Sequence, residues 1–131
     1  MLYEYKLSTP RESFYVITPQ VCEAITKSGV TDGIAVVYCP HTTAGITINE
    51  NADPDVARDM SIGLGKAFPD LVEYRHFEGN TTAHMRASVT GSCATVIICG
   101  GKPLLGTWQG VYLCEFDPPG TRKFFVKIIS G

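Results

Sequence analysis

Three runs near the end of the chain decide the fold. They are Cys93-Ala94-Thr95-Val96-Ile97-Ile98-Cys99, Gly110-Val111-Tyr112-Leu113-Cys114-Glu115-Phe116 and Arg122-Lys123-Phe124-Phe125-Val126-Lys127-Ile128-Ile129. Each is rich in β-branched and aromatic residues and reads as a strand. The three follow one another without an intervening helical pattern, and Gly100-Gly101-Lys102-Pro103 is a turn by composition. A regular strand–helix alternation is therefore absent from this part of the chain.

Working outward, Gly33–Cys39 is a continuous apolar run of the kind buried on both faces of a sheet. Leu2–Leu7 and Glu12–Ile17 are strands joined by Ser8-Thr9-Pro10-Arg11, and Ala44–Asn49 alternates as a further strand. Thr18-Pro19 opens a helix, with Thr18 as N-cap, Val21, Ala24, Ile25 and Ser28 as its inner stripe, and Gly29 as its stop. Asp53-Pro54 repeats that start signal before Val56, Ala57, Met60, Leu64 and Phe68, and Pro69 ends the segment. Asn80 is the N-cap of a third helix that Gly91 terminates. Mixed strands and helices of this kind predict an α+β fold. The expectation is one compact domain over residues 1–131, with a mostly antiparallel or mixed sheet flanked by the three helices.

Composition excludes several classes of function. The net charge is −2 and the basic residues are dispersed, which argues against a nucleic-acid partner bound through phosphates. No apolar run approaches the roughly 20 residues that span a bilayer, and no basic-then-apolar leader opens the chain. Five cysteines, an odd number without a Cys-x-x-Cys pair, predict a reducing, cytoplasmic setting. Neither a Gly-x-Ser-x-Gly elbow nor a glycine-rich phosphate loop occurs.

The polar chemistry is concentrated in two blocks that hold all three histidines. The first runs His41-Thr42-Thr43-Ala44-Gly45-Ile46-Thr47-Ile48-Asn49-Glu50-Asn51-Ala52-Asp53-Pro54-Asp55, and the second runs Tyr74-Arg75-His76-Phe77-Glu78-Gly79-Asn80-Thr81-Thr82-Ala83-His84. His41 follows a buried strand, where side chains leave a sheet and reach a crevice, and Thr42 and Thr43 add hydroxyls. On an extended segment His76 and Glu78 point the same way; on a helix Asn80 and His84 share a face. Such a mixed nitrogen and oxygen cluster suits a divalent metal ion of the magnesium or zinc type. The same residues also have plain structural roles, Asn80 as a cap, His84 as a surface residue and Glu78 as a solvated acid. Asp53 and Asp55 are explained by the helix dipole, whereas Glu50 and Asn51 are left for a ligand. The single tryptophan, Trp108, lies beside Gln109, a pairing suited to stacking on and hydrogen bonding to a heteroaromatic ring, or to packing. Arg86, Lys102, Arg122 and Lys123 are either surface charges or partners for an anion.

Taken together and in order, the His-Thr-Thr-Ala block, the Glu-Gly-Asn-x-x-x-His block and Gly106-Thr107-Trp108-Gln109 resemble the YjbQ-like family, also called the secondary thiamine-phosphate synthase enzyme family. The resemblance covers nearly the whole chain. It implies a curved sheet, assembly as a homotrimer, and weak thiamine-phosphate synthase activity. In that reaction hydroxymethylpyrimidine diphosphate is joined to thiazole phosphate and pyrophosphate leaves. It further implies His41, His76 and His84 as the polar site, around a metal. Members carry a Gly-Pro-Arg-like segment before the last strand. This chain reads Asp117-Pro118-Pro119-Gly120-Thr121-Arg122-Lys123 there, and Arg122 takes that segment's role.

Three functions compete on this reading. A transferase would use His41, His84, Glu78 and Asn80 in catalysis, with Thr42, Thr43, Glu50, Asn51, Trp108, Gln109 and Arg122 holding a small phosphorylated heterocyclic substrate. A metal-dependent hydrolase of a small phosphorylated substrate would place His41, His76 and His84 on the ion and use Glu78 or Glu50 as general base. A non-catalytic trimer would bind a small anion or metabolite with the same residues.

Overall fold

The computed structural model describes residues 1–131. In chain order the elements are β1 (Leu2–Thr9), β2 (Ser13–Val16), α1 (Thr18–Ser28), β3 (Asp32–Tyr38), β4 (Ala44–Glu50), α2 (Pro54–Ala67), α3 (Thr81–Thr90), β5 (Cys93–Cys99), β6 (Lys102–Pro103), β7 (Gln109–Glu115) and β8 (Gly120–Ser130). The strands form two sheets in which every pairing is antiparallel, one ordered β1-β8-β3-β5-β6 and the other β2-β7-β4. The α+β expectation holds, and the sheet is fully antiparallel.

Between the two sheets lies the main core. β3, β5 and β8 contribute Ala35, Val37, Val96, Ile98, Phe124, Val126 and Ile128; β4 and β7 contribute Ala44, Ile46, Val111 and Leu113. The stripe Val21, Ala24 and Ile25 of α1 closes one side, as the sequence spacing predicts. Each large aliphatic buried this way stabilises the fold by about 1.5–3 kcal/mol relative to exposure. A smaller cluster covers the other face of the three-stranded sheet, where Ala83 and Ala87 of α3 meet Tyr112, Cys114 and Phe116.

Several local expectations are corrected. Thr18 is the first helical residue and Ile17 is the cap; the Thr18 hydroxyl instead accepts the Val111 N–H at 2.9 Å, pinning α1 to β7. Lys102-Pro103, read as part of a turn, is a two-residue strand on β5. β1 and β2, close in sequence, part into different sheets. The run Gly33–Cys39 is apolar throughout, yet β3 buries only alternate residues and leaves Tyr38 46% exposed. Other signals hold. Gly29 ends α1 in the left-handed region at φ 71°, and the Asp53 carboxylate accepts the Asp55 N–H at 2.9 Å at the start of α2.

The chain passes from the five-stranded to the three-stranded sheet between β1 and β2 and again between β3 and β4, and it returns between β7 and β8. In the register of the smaller sheet, Glu115 sits opposite both Ser13 and Ala44. These three of the chain's six crossings therefore meet at one end of β7.

Candidate functional site

That meeting point is built around a carboxylate the sequence reading passed over. Glu115 is fully buried. Its Oε1 accepts the Thr9 hydroxyl and Arg122 Nε, both at 2.6 Å, and its Oε2 accepts the Asp117 amide at 2.9 Å and Arg122 Nη2. Arg122 Nη2 also donates to Thr43 Oγ1 at 2.8 Å. One ion pair thus ties the end of β1, the β3–β4 crossing and the start of β8. Burial alone would push the Glu115 carboxyl up; Arg122, Thr9 and the Asp117 amide outweigh it and hold it below the usual carboxylate range. Arg122 is correspondingly raised, chiefly by its hydrogen bonds to Glu115. A sequence signal for this pair existed: one acid inside the apolar run Gly110–Phe116, followed seven residues later by an arginine on the last strand.

His41 stands on this platform. Its Nε2 accepts the Lys123 N–H at 2.9 Å. β3 ends at Tyr38, which pairs with Phe125, so the imidazole takes the place of the strand that β8 has lost there. Burial first, then the Arg122 guanidinium, hold His41 below the usual imidazole range, against an opposing pull from Glu115. That direction favours the neutral imidazole, the form whose Nε2 can accept the Lys123 amide. Its ring lines a concavity of about 500 Å³ together with Thr42, Ala44, His84, Ala87, Ser88, Gly91 and Ser92. His84 comes from α3, and His76 packs edge-on against it with ring centroids 5.2 Å apart. The structure thus brings His41, Thr42 and His84 into one pocket and sets His76 edge-on against His84.

Other candidates lie elsewhere. Glu50, Asn51, Trp108 and Gln109 gather at the opposite end of the β4–β7 pairing, where Glu50 faces Gln109 and Ala44 faces Glu115. The seven residues of β4 separate the two groups by about 20 Å at strand rise. At that far end the Asn51 amide donates to the Trp108 carbonyl at 2.7 Å, Asn51 Oδ1 accepts the Tyr112 hydroxyl at 3.1 Å, and Gln109 Oε1 accepts the Gly106 N–H at 2.8 Å. A larger concavity of about 650 Å³ opens there between β2 and α2, lined by Asn51, Asp53, Arg58 and Tyr112 among others. It contains no histidine, and we place the candidate site at the smaller pocket, where two imidazoles converge.

Asn80 does occupy the N-cap position of α3, but its side chain makes no capping bond; its Nδ2 donates to Asp117 at 2.8 Å. Glu78 is exposed in the preceding loop. Thr43 is buried beneath the pocket, committed to Arg122. Neither Arg86 nor Arg122 is a surface charge. Arg86 is buried, pairs with Glu12 at 2.7 Å and lies over the Phe116 ring. Arg122 keeps only Nη1 without a hydrogen-bond partner.

Could these residues hold a metal? No group of three or more His, Cys, Asp or Glu side chains is disposed to do so, and His41 Nε2 is already occupied by the Lys123 amide. The donor set within one chain does not fit a metal centre. All five cysteines are free; Cys39 and Cys114 are buried, and burial pushes both thiols up, away from the nucleophilic thiolate.

With this geometry in hand, comparison with known proteins is decisive on ancestry. Residues 3–131 match the family model described as UPF0047 protein YjbQ-like. The chain belongs to the YjbQ-like family. Among its relatives, UPF0047 protein MJ1081 of Methanocaldococcus jannaschii is 53% identical over 131 residues, 99% of this chain and 95% of that protein. UPF0047 protein YugU of Bacillus subtilis is 50% identical over 124 residues, 94% of each chain. The fold matches a crystal structure of a YjbQ/UPF0047 family protein from Clostridium acetobutylicum, at 58% identity and a TM-score of 0.94, covering 97% of this chain and 99% of that one. A YbjQ-like protein from Sulfolobus solfataricus, only 28% identical, gives the same TM-score of 0.94 over 100% of this chain and 97% of that one. In sequence alone, then, the YjbQ-like fold tolerates wide divergence. No helix of this chain is long and apolar enough to cross a membrane.

Proposed function

We propose that this YjbQ-like protein is a transferase of the thiamine-phosphate synthase type, with the His41–His84 pocket as its active site. It joins hydroxymethylpyrimidine diphosphate to thiazole phosphate. One observation carries the reading: two imidazoles from separate elements line a single pocket whose remaining polar side chains, Thr42, Ser88 and Ser92, are all hydroxyls. No carboxylate lines it, so its polar groups suit an anionic oxygen. A volume of about 500 Å³ lies in the range of small-molecule sites.

The chemistry asks for no protein nucleophile. The carbon–oxygen bond to the diphosphate breaks and its electron pair leaves with pyrophosphate; the thiazole nitrogen lone pair forms the new carbon–nitrogen bond. What the chain supplies is alignment of the two rings and hydrogen-bond donors for the departing oxygen. His41, His84 and the three hydroxyls would serve the second task, and Arg122 Nη1 is an uncommitted cationic donor of the platform. No step is routed through a metal, because the chain's donors do not converge on one.

The assay is direct. Both substrates are incubated with purified protein and the coupled product is followed by mass spectrometry. His41→Ala and His84→Ala should each lose about hundredfold in rate, the scale for one donor to developing charge, with unchanged circular dichroism. Full activity in both folded variants overturns the site. Pyrophosphate binding without product would leave a non-catalytic binding protein.

For assembly, we propose a homotrimer joined through the outer face of the five-stranded sheet. Leu2, Tyr38, Ile97 and Ile129 stand exposed on that face, and Leu2, Val36, Tyr38, Cys93 and Phe125 line a hollow there that is apolar but for Lys127. Apolar patches of this kind mark association surfaces.

A further inference from the structure

We infer that Glu115 is the positioning residue of the pocket: through Arg122 and the adjoining Lys123 amide it fixes the His41 ring as the Nδ1–H tautomer. The chain of contacts is continuous. Glu115 binds both Arg122 Nε and Nη2, which orients the first residues of β8. The next residue, Lys123, directs its N–H to His41 Nε2 at 2.9 Å. An N–H can be received only by an unprotonated ring nitrogen, so in the neutral imidazole the proton resides on Nδ1. Thr43, two residues from His41, is held by the same guanidinium, which restrains the backbone that carries the ring.

The consequence is a defined role for His41. With Nε2 occupied, the ring's one remaining polar group is an Nδ1–H donor. His41 then stabilises negative charge on a ligand oxygen and does not abstract a proton. This last step rests on the transferase reading; the tautomer itself does not.

Such a buried carboxylate has a purely structural alternative, in which it only balances Arg122. Two measurements separate them. Nitrogen–proton correlation spectra of isotope-labelled wild type, with His41 assigned by comparison with His41→Gln, should show a protonated, pyrrole-type Nδ1 and an unprotonated, pyridine-type Nε2. That is the reverse of the preference of a free histidine side chain in water. Glu115→Gln places an amide N–H₂ where an acceptor is needed and should shift His41 towards the Nε2–H form. Lys123→Pro deletes the donor while keeping Glu115 and Arg122, and should do the same even where Glu115→Gln folds poorly. Isothermal titration with inorganic pyrophosphate should show affinity about tenfold weaker in either variant, the loss of one charge-assisted contact.

A wild-type Nε2–H signal overturns the inference. So does a His41 tautomer that is unchanged in both folded variants. Wild type with the Nδ1–H pattern but no pyrophosphate binding supports the positioning role and overturns the transferase reading alone.

Discussion

The two sheets are made from similar residues and differ in what covers them. In the three-stranded sheet, β7 is buried from Gly110 to Glu115, with the main core on one side and α3 on the other. In the five-stranded sheet, β5 buries Val96 and Ile98 and leaves Cys93, Ile97 and Cys99 exposed. The first arrangement is closed enough to hold a charge pair at its end. The second presents apolar surface that the chain does not cover itself. An apolar sequence therefore marks surface that needs covering, whether or not the same chain provides the cover.

The sharpest way to break this comparison is to remove the buried acid. Glu115→Ala should destabilise the chain by about 3–5 kcal/mol, because it strands the Arg122 guanidinium away from water. Chemical denaturation measures it, and a change under 1 kcal/mol would show that water replaces the carboxylate. Acidification probes the same end more gently. Folded His41 takes its proton only below the usual imidazole value near 6.5. The unfolded chain protonates first, so stability should fall as pH drops from about 6.5 through the folded value. Glu115, held below 4.5 in the fold, adds a second loss at lower pH, absent in Glu115→Gln. A stability that stays level from neutrality to about pH 5 would contradict the His41 shift, and one level from about pH 5 to about pH 2 the Glu115 shift.

On the other sheet, Ile97→Glu should leave the fold intact and weaken self-association at least about tenfold, or 1.4 kcal/mol. Light scattering would show a trimer in wild type and smaller species in the variant; equal masses would place the interface elsewhere. The smallest effect concerns α2, which covers part of the three-stranded sheet without one fully buried residue. A side chain added at Gly63 or Gly65 meets nothing within 4 Å. Alanine at either site should stabilise by up to about 1 kcal/mol; a loss of stability would reveal packing on that side in the assembled protein.

Much of this was readable in the residues. Alternation and turn chemistry placed the strands and helices to within a few positions, because those signals are local. The partition into two sheets was not legible, since β1 and β2 are neighbours in sequence and only long-range pairing separates them. His41 and Glu50 illustrate the cost. Nine residues apart, they read as one polar block, but an extended strand carries them to opposite ends of a sheet. The three histidines read as one divided polar site; of them His41 and His84 share a pocket, and His76 lies edge-on against His84. Glu115 was missed because attention to polar blocks overlooks a single acid in an apolar strand, where the energetic stakes of a charge are highest.

The pairing of β1 with β8 limits how early this part of the fold can close. Leu2 lies opposite Lys127 and Thr9 opposite Gly120, so β1 is paired only by a strand far downstream in the sequence. Contacts this distant in sequence close slowly. During synthesis β1 must wait for β8, and β4 likewise waits for β7, the one strand it pairs with. The Glu115 junction, which joins Thr9 to Arg122, cannot form before the start of β8 has been made, and neither can the Lys123 bond that seats His41.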